Sequence, residues 1–120
     1  MTPTISLQRR GGIVACERCR VADRLLPRVR GLLGRRGLES GEGLLLKPAP
    51  SVHTFFMRFP IDAVFLDRDG SVLKVRSHLR PWRVAAARGA HATLELAAGE
   101  AERKGIGRGD RLEPVGAAHA

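Results

Sequence analysis

Cys16-Glu17-Arg18-Cys19 places two thiols three residues apart. That spacing serves a redox dithiol or half of a zinc site. A redox pair normally sits where a strand feeds a helix N-terminus, and here the helical pattern starts several residues later. No second Cys pair or close His pair follows, so no metal site is expected. The two thiols read as reduced side chains on a strand or turn, dispensable to the fold.

A second constellation lies in Ser51-Val52-His53-Thr54-Phe55-Phe56-Met57-Arg58-Phe59-Pro60-Ile61-Asp62. His53 and Asp62 flank an apolar stretch, and across the break at Pro60 the carboxylate can orient the imidazole. This is half of an acid–base site, with Glu95 as a further carboxylate. The structural alternatives are a plain His53–Asp62 hydrogen bond, an ion pair of Arg58 with Asp62, and Met57 as core filling. No Ser occupies a nucleophile elbow, and neither a zinc-protease helix motif nor a phosphate loop is present. The glycines of residues 30–35 and 105–110 lack the strand–turn–helix context of a dinucleotide site. No cofactor is implied.

These residues must be held by short strands. Thr4 to Leu7 and Ile13 to Cys16 read as a hairpin turning at Arg9-Arg10-Gly11-Gly12, resuming around Arg20 to Ala22. The spacing of Leu25, Leu26, Val29, Leu32 and Leu33 predicts a helix over about 23–34, with Asp23 as N-cap and Gly34 as C-cap. Gly43 to Leu46 is a strand ended by Pro48. The alternation through Val52 to Phe59 predicts an extended, central segment covered on both faces. Ala63 to Leu66 and Val72 to Val75 form the clearest hairpin, turning at Asp67-Arg68-Asp69-Gly70 with Gly70 at positive φ. Ser77 to Gly89 reads as a long loop or edge segment. Ala92 to Leu96 is a strand, Gly99 to Lys104 a short helical turn, and Arg111 to Val115 a last strand. The pattern predicts an α+β fold, mainly antiparallel β, as a small curled or barrel-like sheet with one main helix. One domain spans 1–115, with a frayed tail at 116–120.

The composition agrees with a small globular domain: 120 residues, 43% apolar. No apolar run approaches the roughly 18 residues of a membrane span. Met1 to Gln8 does not read as a signal peptide, so the expected location is cytoplasmic. The formal charge is +9, and 18 of the 21 basic residues are Arg. Residues 1–40 carry nine Arg against three carboxylates. Such a face attracts nucleic acid, but Tyr is absent and every Phe and Trp lies within 55–82, away from it.

Arg30-Gly31-Leu32-Leu33-Gly34-Arg35, Gly43-Leu44-Leu45-Leu46, the Ser51-to-Asp62 stretch, Val64-Phe65-Leu66-Asp67, Leu94-Glu95-Leu96-Ala97-Ala98-Gly99 and Gly109-Asp110 follow one another in a familiar order. Over residues 5 to 115 the chain resembles the uncharacterised family called domain of unknown function 192. The resemblance implies a β-rich single domain with no established activity. Its motif positions here are Arg30, His53, Thr54, Met57, Arg58, Asp62, Glu95 and Gly99, whereas the Cys pair lies outside the pattern. The expected function is a binding or accessory module with a polar cleft around the Ser51-to-Asp62 segment, taking a protein or a small molecule. The alternatives are a hydrolase using His53 with Asp62 or Glu95, and a basic nucleic-acid-binding protein.

Overall fold

β-branched and aliphatic runs separated by Gly- and Pro-containing turns dictate strands through most of the chain. The computed structural model describes residues 4–9, 12–22 and 37–115. Its strands are β1 (Thr4–Arg9), β2 (Val14–Ala22), β3 (Glu42–Leu46), β4 (Ser51–His53), β5 (Ile61–Leu66), β6 (Val72–Leu79), β7 (Val84–Ala86), β8 (Ala92–Ala97) and β9 (Leu112–Pro114). Helix α1 (Glu100–Arg103) precedes β9. The expected helix over 23–34, with Arg30, and the tail at 116–120 lie outside the described residues. Among the described residues the fold is therefore mostly β, with less helix than an α+β reading anticipates.

Seven strands form one sheet in the order β6-β5-β8-β3-β2-β1-β9, while β4 and β7 pair separately. All neighbours are antiparallel except β2 with β3. The large sheet curls into a half-barrel until its two edges touch. Val72 N–H donates to the Asp110 carbonyl at 2.7 Å, and Leu112 N–H donates to the Gly70 carbonyl at 2.8 Å. This contact occupies part of both exposed edges, which would otherwise invite pairing with other chains.

Both faces of the sheet are covered. Val64, Leu66, Leu94, Leu96, Leu45 and Val21 point into the curl, with Leu7, Ile106 and Leu112. Ile61, Ala63, Phe65, Leu44 and Leu46 point the other way, beneath Ala49, Val52, Met57 and Ala85. The β4–β7 ribbon and its flanking loops thus form a flap over the outer face. Burying one side chain such as Phe65 or Leu94 contributes about 1.5–3 kcal/mol.

Gly70 has φ 85, as its turn requires. Asp67 Oδ1 accepts the Asp69 and Ser71 N–H groups, closing that turn with a side chain. A Cβ on Gly70 would stand 2.3 Å from the Leu112 carbonyl oxygen, because the two sheet edges meet there. One expectation needs correction. The Val52-to-Phe59 stretch is no central strand: only Ser51–His53 is extended, and Phe56 takes φ 65. Its alternation therefore fails, leaving Thr54 and Met57 buried and Phe55, Phe56 and Arg58 exposed. The stretch from Ser77 to Gly89, expected as a long loop or edge segment, contains the end of β6, at the edge of the large sheet, and all of β7, in the two-stranded ribbon. Among the described residues, no helix is long and apolar enough to cross a membrane.

Candidate functional site

Thr54 ties the flap together. It is fully buried, and its Oγ1 donates to the Arg80 carbonyl at 2.5 Å while accepting the Arg83 N–H at 2.8 Å. Its own N–H donates to the Arg83 carbonyl, and its carbonyl accepts the N–H groups of Met57 and Trp82. One residue thus joins the turn after β4 to the loop before β7. A buried hydroxyl costs stability unless bonded, and this one is bonded on both sides.

The knot fixes a cluster of rings on the outside of the flap. His53 lies 5.0 Å from Phe55, Phe55 stacks with Trp82 at 5.8 Å and 29°, and Phe56 meets Trp82 at 4.7 Å and 59°. These are ordinary attractive aromatic geometries. Yet Phe56 is 70% exposed, Val84 60%, Trp82 55% and Phe55 37%. The other large apolar side chains exposed among the described residues, Ile13, Val14 and Val115, lie elsewhere and are not aromatic. Phe56 and Trp82 both have φ 65, a left-handed backbone that costs a bulky residue about 1–3 kcal/mol. Arg58, Arg80 and Arg83, close to the ring residues in the chain, are exposed, and none forms an ion pair among the described residues.

His53 and Asp62 do not meet. His53 is exposed, and its Nδ1 accepts the Phe55 N–H at 3.3 Å. Asp62, fully buried on β5, spends its carboxylate on backbone. Oδ1 accepts the His78 N–H at 2.9 Å, and Oδ2 accepts the Gly99 and Ala101 N–H groups at 3.0 and 2.9 Å. It fastens the end of β6 and the start of α1 to the sheet, at points where His78 and Gly99 have positive φ. Three N–H groups converging on one carboxylate are a strong, charge-assisted anchor. Arg58 therefore has no ion pair with Asp62 either.

Glu95 occupies the middle of β8, between Leu44 of β3 and Ala63 of β5. It is 4% exposed and forms no hydrogen bond or ion pair among the described residues. Burial pushes its carboxyl up to about 8, so it is mostly protonated at neutral pH. Met57 is buried in the outer core with Ala85 and Phe65. The structure thus sends the three residues of an acid–base site to a surface ring cluster, a backbone anchor and a buried strand. Beside the Ser51-to-Asp62 segment stands an exposed aromatic surface, with the exposed Arg58, Arg80 and Arg83 close to its rings in the chain.

Cys16 and Cys19 both point into the core. Side chains three apart on a regular strand face opposite ways, but an extra residue in β2 opposite Ile5 and Leu7 makes a bulge that turns both inward. They are free thiols, and the hydrogen bond to Cys16, together with burial, holds Cys19 well above its usual range. Cys16 packs closely against β3: a Cβ on Gly43 would stand 2.6 Å from its sulfur. Among the described residues, no cluster of His, Cys, Asp and Glu has the makings of a metal site.

A cleft of about 300 Å³ also opens at the mouth of the half-barrel, floored by Ile5, Leu7, Leu45, Leu66 and Leu112. Two of its rim groups are committed elsewhere. Asp67 closes its own turn, and Arg111 Nε donates to the Asp69 carbonyl at 3.0 Å. At the ring surface, His53 Nδ1 accepts the Phe55 N–H and Arg83 Nη1 donates to the Trp82 carbonyl at 3.4 Å, which leaves the exposed ring faces of Phe56 and Trp82 open.

Fold and surface together define a curled-sheet domain that carries an aromatic flap. The model of the DUF192 family, described as "Uncharacterized ACR", matches residues 6–114, and the chain belongs to that family. The chain is similar in structure to a "putative transcription regulator" from Sinorhizobium meliloti 1021, with TM-score 0.84 and 24% identity over 96% of each chain. It is also similar to a protein of unknown function from Novosphingobium aromaticivorans DSM 12444, with TM-score 0.80 and 25% identity over 93% of this chain and 84% of that one. No curated protein matches it.

Proposed function

We propose that the chain is a binding module whose recognition surface is the platform of His53, Phe55, Phe56 and Trp82, edged by Arg58, Arg80 and Arg83. One observation carries this reading: Phe56 and Trp82 are more than half exposed and yet held at φ 65. Folding uses the backbone here, since the Trp82 N–H joins the Thr54 knot, but gains little from exposing the two rings. Glycine would occupy both positions with less backbone strain, and exposed rings gain little from the hydrophobic effect. Strain retained at exposed aromatic residues is the signature of a surface kept for a partner.

Trp82 is the sole Trp of the chain, so its emission reports on the platform directly. We expect a saturable change in Trp82 fluorescence on titration with at least one class of ligand bearing flat or apolar faces. The panel comprises oligonucleotides, oligosaccharides and aromatic peptides. The response should vanish in Phe56→Gly. Emission that stays constant across all three classes would overturn the reading.

A further inference from the structure

Building on the platform reading, we infer that the surface takes single-stranded nucleic acid, with bases on Phe56 and Trp82 and phosphates on Arg58, Arg80 and Arg83. The charge of the segments that carry the rings points there. Residues 43–61 hold Lys47 and Arg58 and no carboxylate; residues 70–94 hold Lys74, Arg76, Arg80, Arg83 and Arg88 and no carboxylate. These two segments thus hold seven basic residues with no carboxylate among them, within a chain of net charge +9 whose larger excess lies in residues 1–40. Arg58, Arg76, Arg80, Arg83 and Arg88 form no ion pair among the described residues, so their charge is available to a ligand.

Nonspecific single-strand binders combine a basic track for the backbone with rings on which successive bases stack. The flap brings both together. Three aromatic side chains lie in series at centroid spacings of 5.8 and 4.7 Å, and two of them are more than half exposed. Duplex DNA hides the flat faces of its bases, so it meets the arginines but not the rings. A membrane-inserting surface needs a continuous apolar face with cations at its margin. Here Arg83 falls between the exposed Trp82 and Val84, so a guanidinium group interrupts the run of exposed apolar side chains. A polymer alternating phosphates with flat bases matches that arrangement.

The test is fluorescence anisotropy of end-labelled 12-nucleotide oligo(dT) and oligo(rU) against the whole chain. We expect saturable binding at 50 mM salt, weaker binding to a duplex of equal length, and a loss of roughly 20-fold at 200 mM salt if three phosphates are engaged. Phe56→Gly and Trp82→Gly should each weaken binding by roughly fivefold or more. Glycine accepts the left-handed backbone, so both variants should retain the wild-type circular dichroism spectrum. Arg80→Gln combined with Arg83→Gln, which leaves the backbone untouched, should weaken binding and flatten the salt dependence.

Absence of binding at 50 mM salt would overturn the inference. So would binding that the ring variants leave unchanged, since that would place the contact on another basic face. Tighter, ring-dependent binding to phosphatidylcholine vesicles containing phosphatidylserine would assign the surface to membranes instead. A Trp82 response to sugars or peptides without oligonucleotide binding would overturn this inference alone; silence from every class would overturn the platform reading as well.

Discussion

Asp62→Ala is expected to remove a large part of the chain's stability. The substitution strips the acceptor from three N–H groups, those of His78, Gly99 and Ala101, and opens a cavity at a fully buried position. The Ala101 donor is buried and the other two are part-buried; at about 1–3 kcal/mol for each orphaned donor, the loss amounts to about 3 kcal/mol or more. A domain of this size has about 5–15 kcal/mol in total. Asp62→Asn should cost less, because its single carbonyl oxygen serves one side of the anchor while its amide faces donors on the other. Urea denaturation followed by circular dichroism reads both. His53→Ala should add to either variant without coupling, since the two side chains share no contact. A midpoint for Asp62→Ala within the scatter of wild type would contradict the anchor.

The second large effect is a gain. Glu95 carries a carboxyl raised from 4.5 to about 8 by burial alone. The folded chain therefore holds a proton that the unfolded chain releases above about pH 4.5. Stability is full below that pH and falls as pH rises, until the folded carboxyl itself ionises near pH 8. Each pH unit in this window costs about 1.4 kcal/mol, or roughly 3 kcal/mol by pH 7. Glu95→Gln keeps the shape and removes the proton. It should match wild type near pH 4.5 and exceed it by roughly 3 kcal/mol at pH 7. Urea midpoints at pH 5, 6, 7 and 8 should diverge steadily; parallel pH profiles would show that Glu95 is not the titrating group.

Much of the scaffold is legible in the sequence because its signals are local. The β5–β6 hairpin follows from two apolar runs around Asp67-Arg68-Asp69-Gly70, and the positive φ of Gly70 follows from the turn. The site is less legible because its determinants are not local. Phe56 and Trp82 turn left-handed without a glycine to mark the place, so the flap reads as a strand and then a loop. Thr54 joins them through backbone groups 26 and 29 residues away, which residue types do not reveal. His53 and Asp62 suggest a pair by type and proximity, yet the partners of Asp62 are three main-chain amides. The bulge that turns both cysteines inward likewise depends on pairing with β1.

On the proposed assignment the ring platform, and not the mouth of the half-barrel, is where a partner binds. Photo-crosslinking from each place tests it most directly. In one variant Phe56 is replaced by p-benzoylphenylalanine, and in a second Arg111, on the rim of the cleft, is replaced by the same residue. Both proteins are irradiated in cells and the adducts compared by mass. A partner held on the platform gives an adduct from position 56 that disappears on adding Trp82→Gly, and none from position 111. An adduct from position 111 with nothing at position 56 would contradict it.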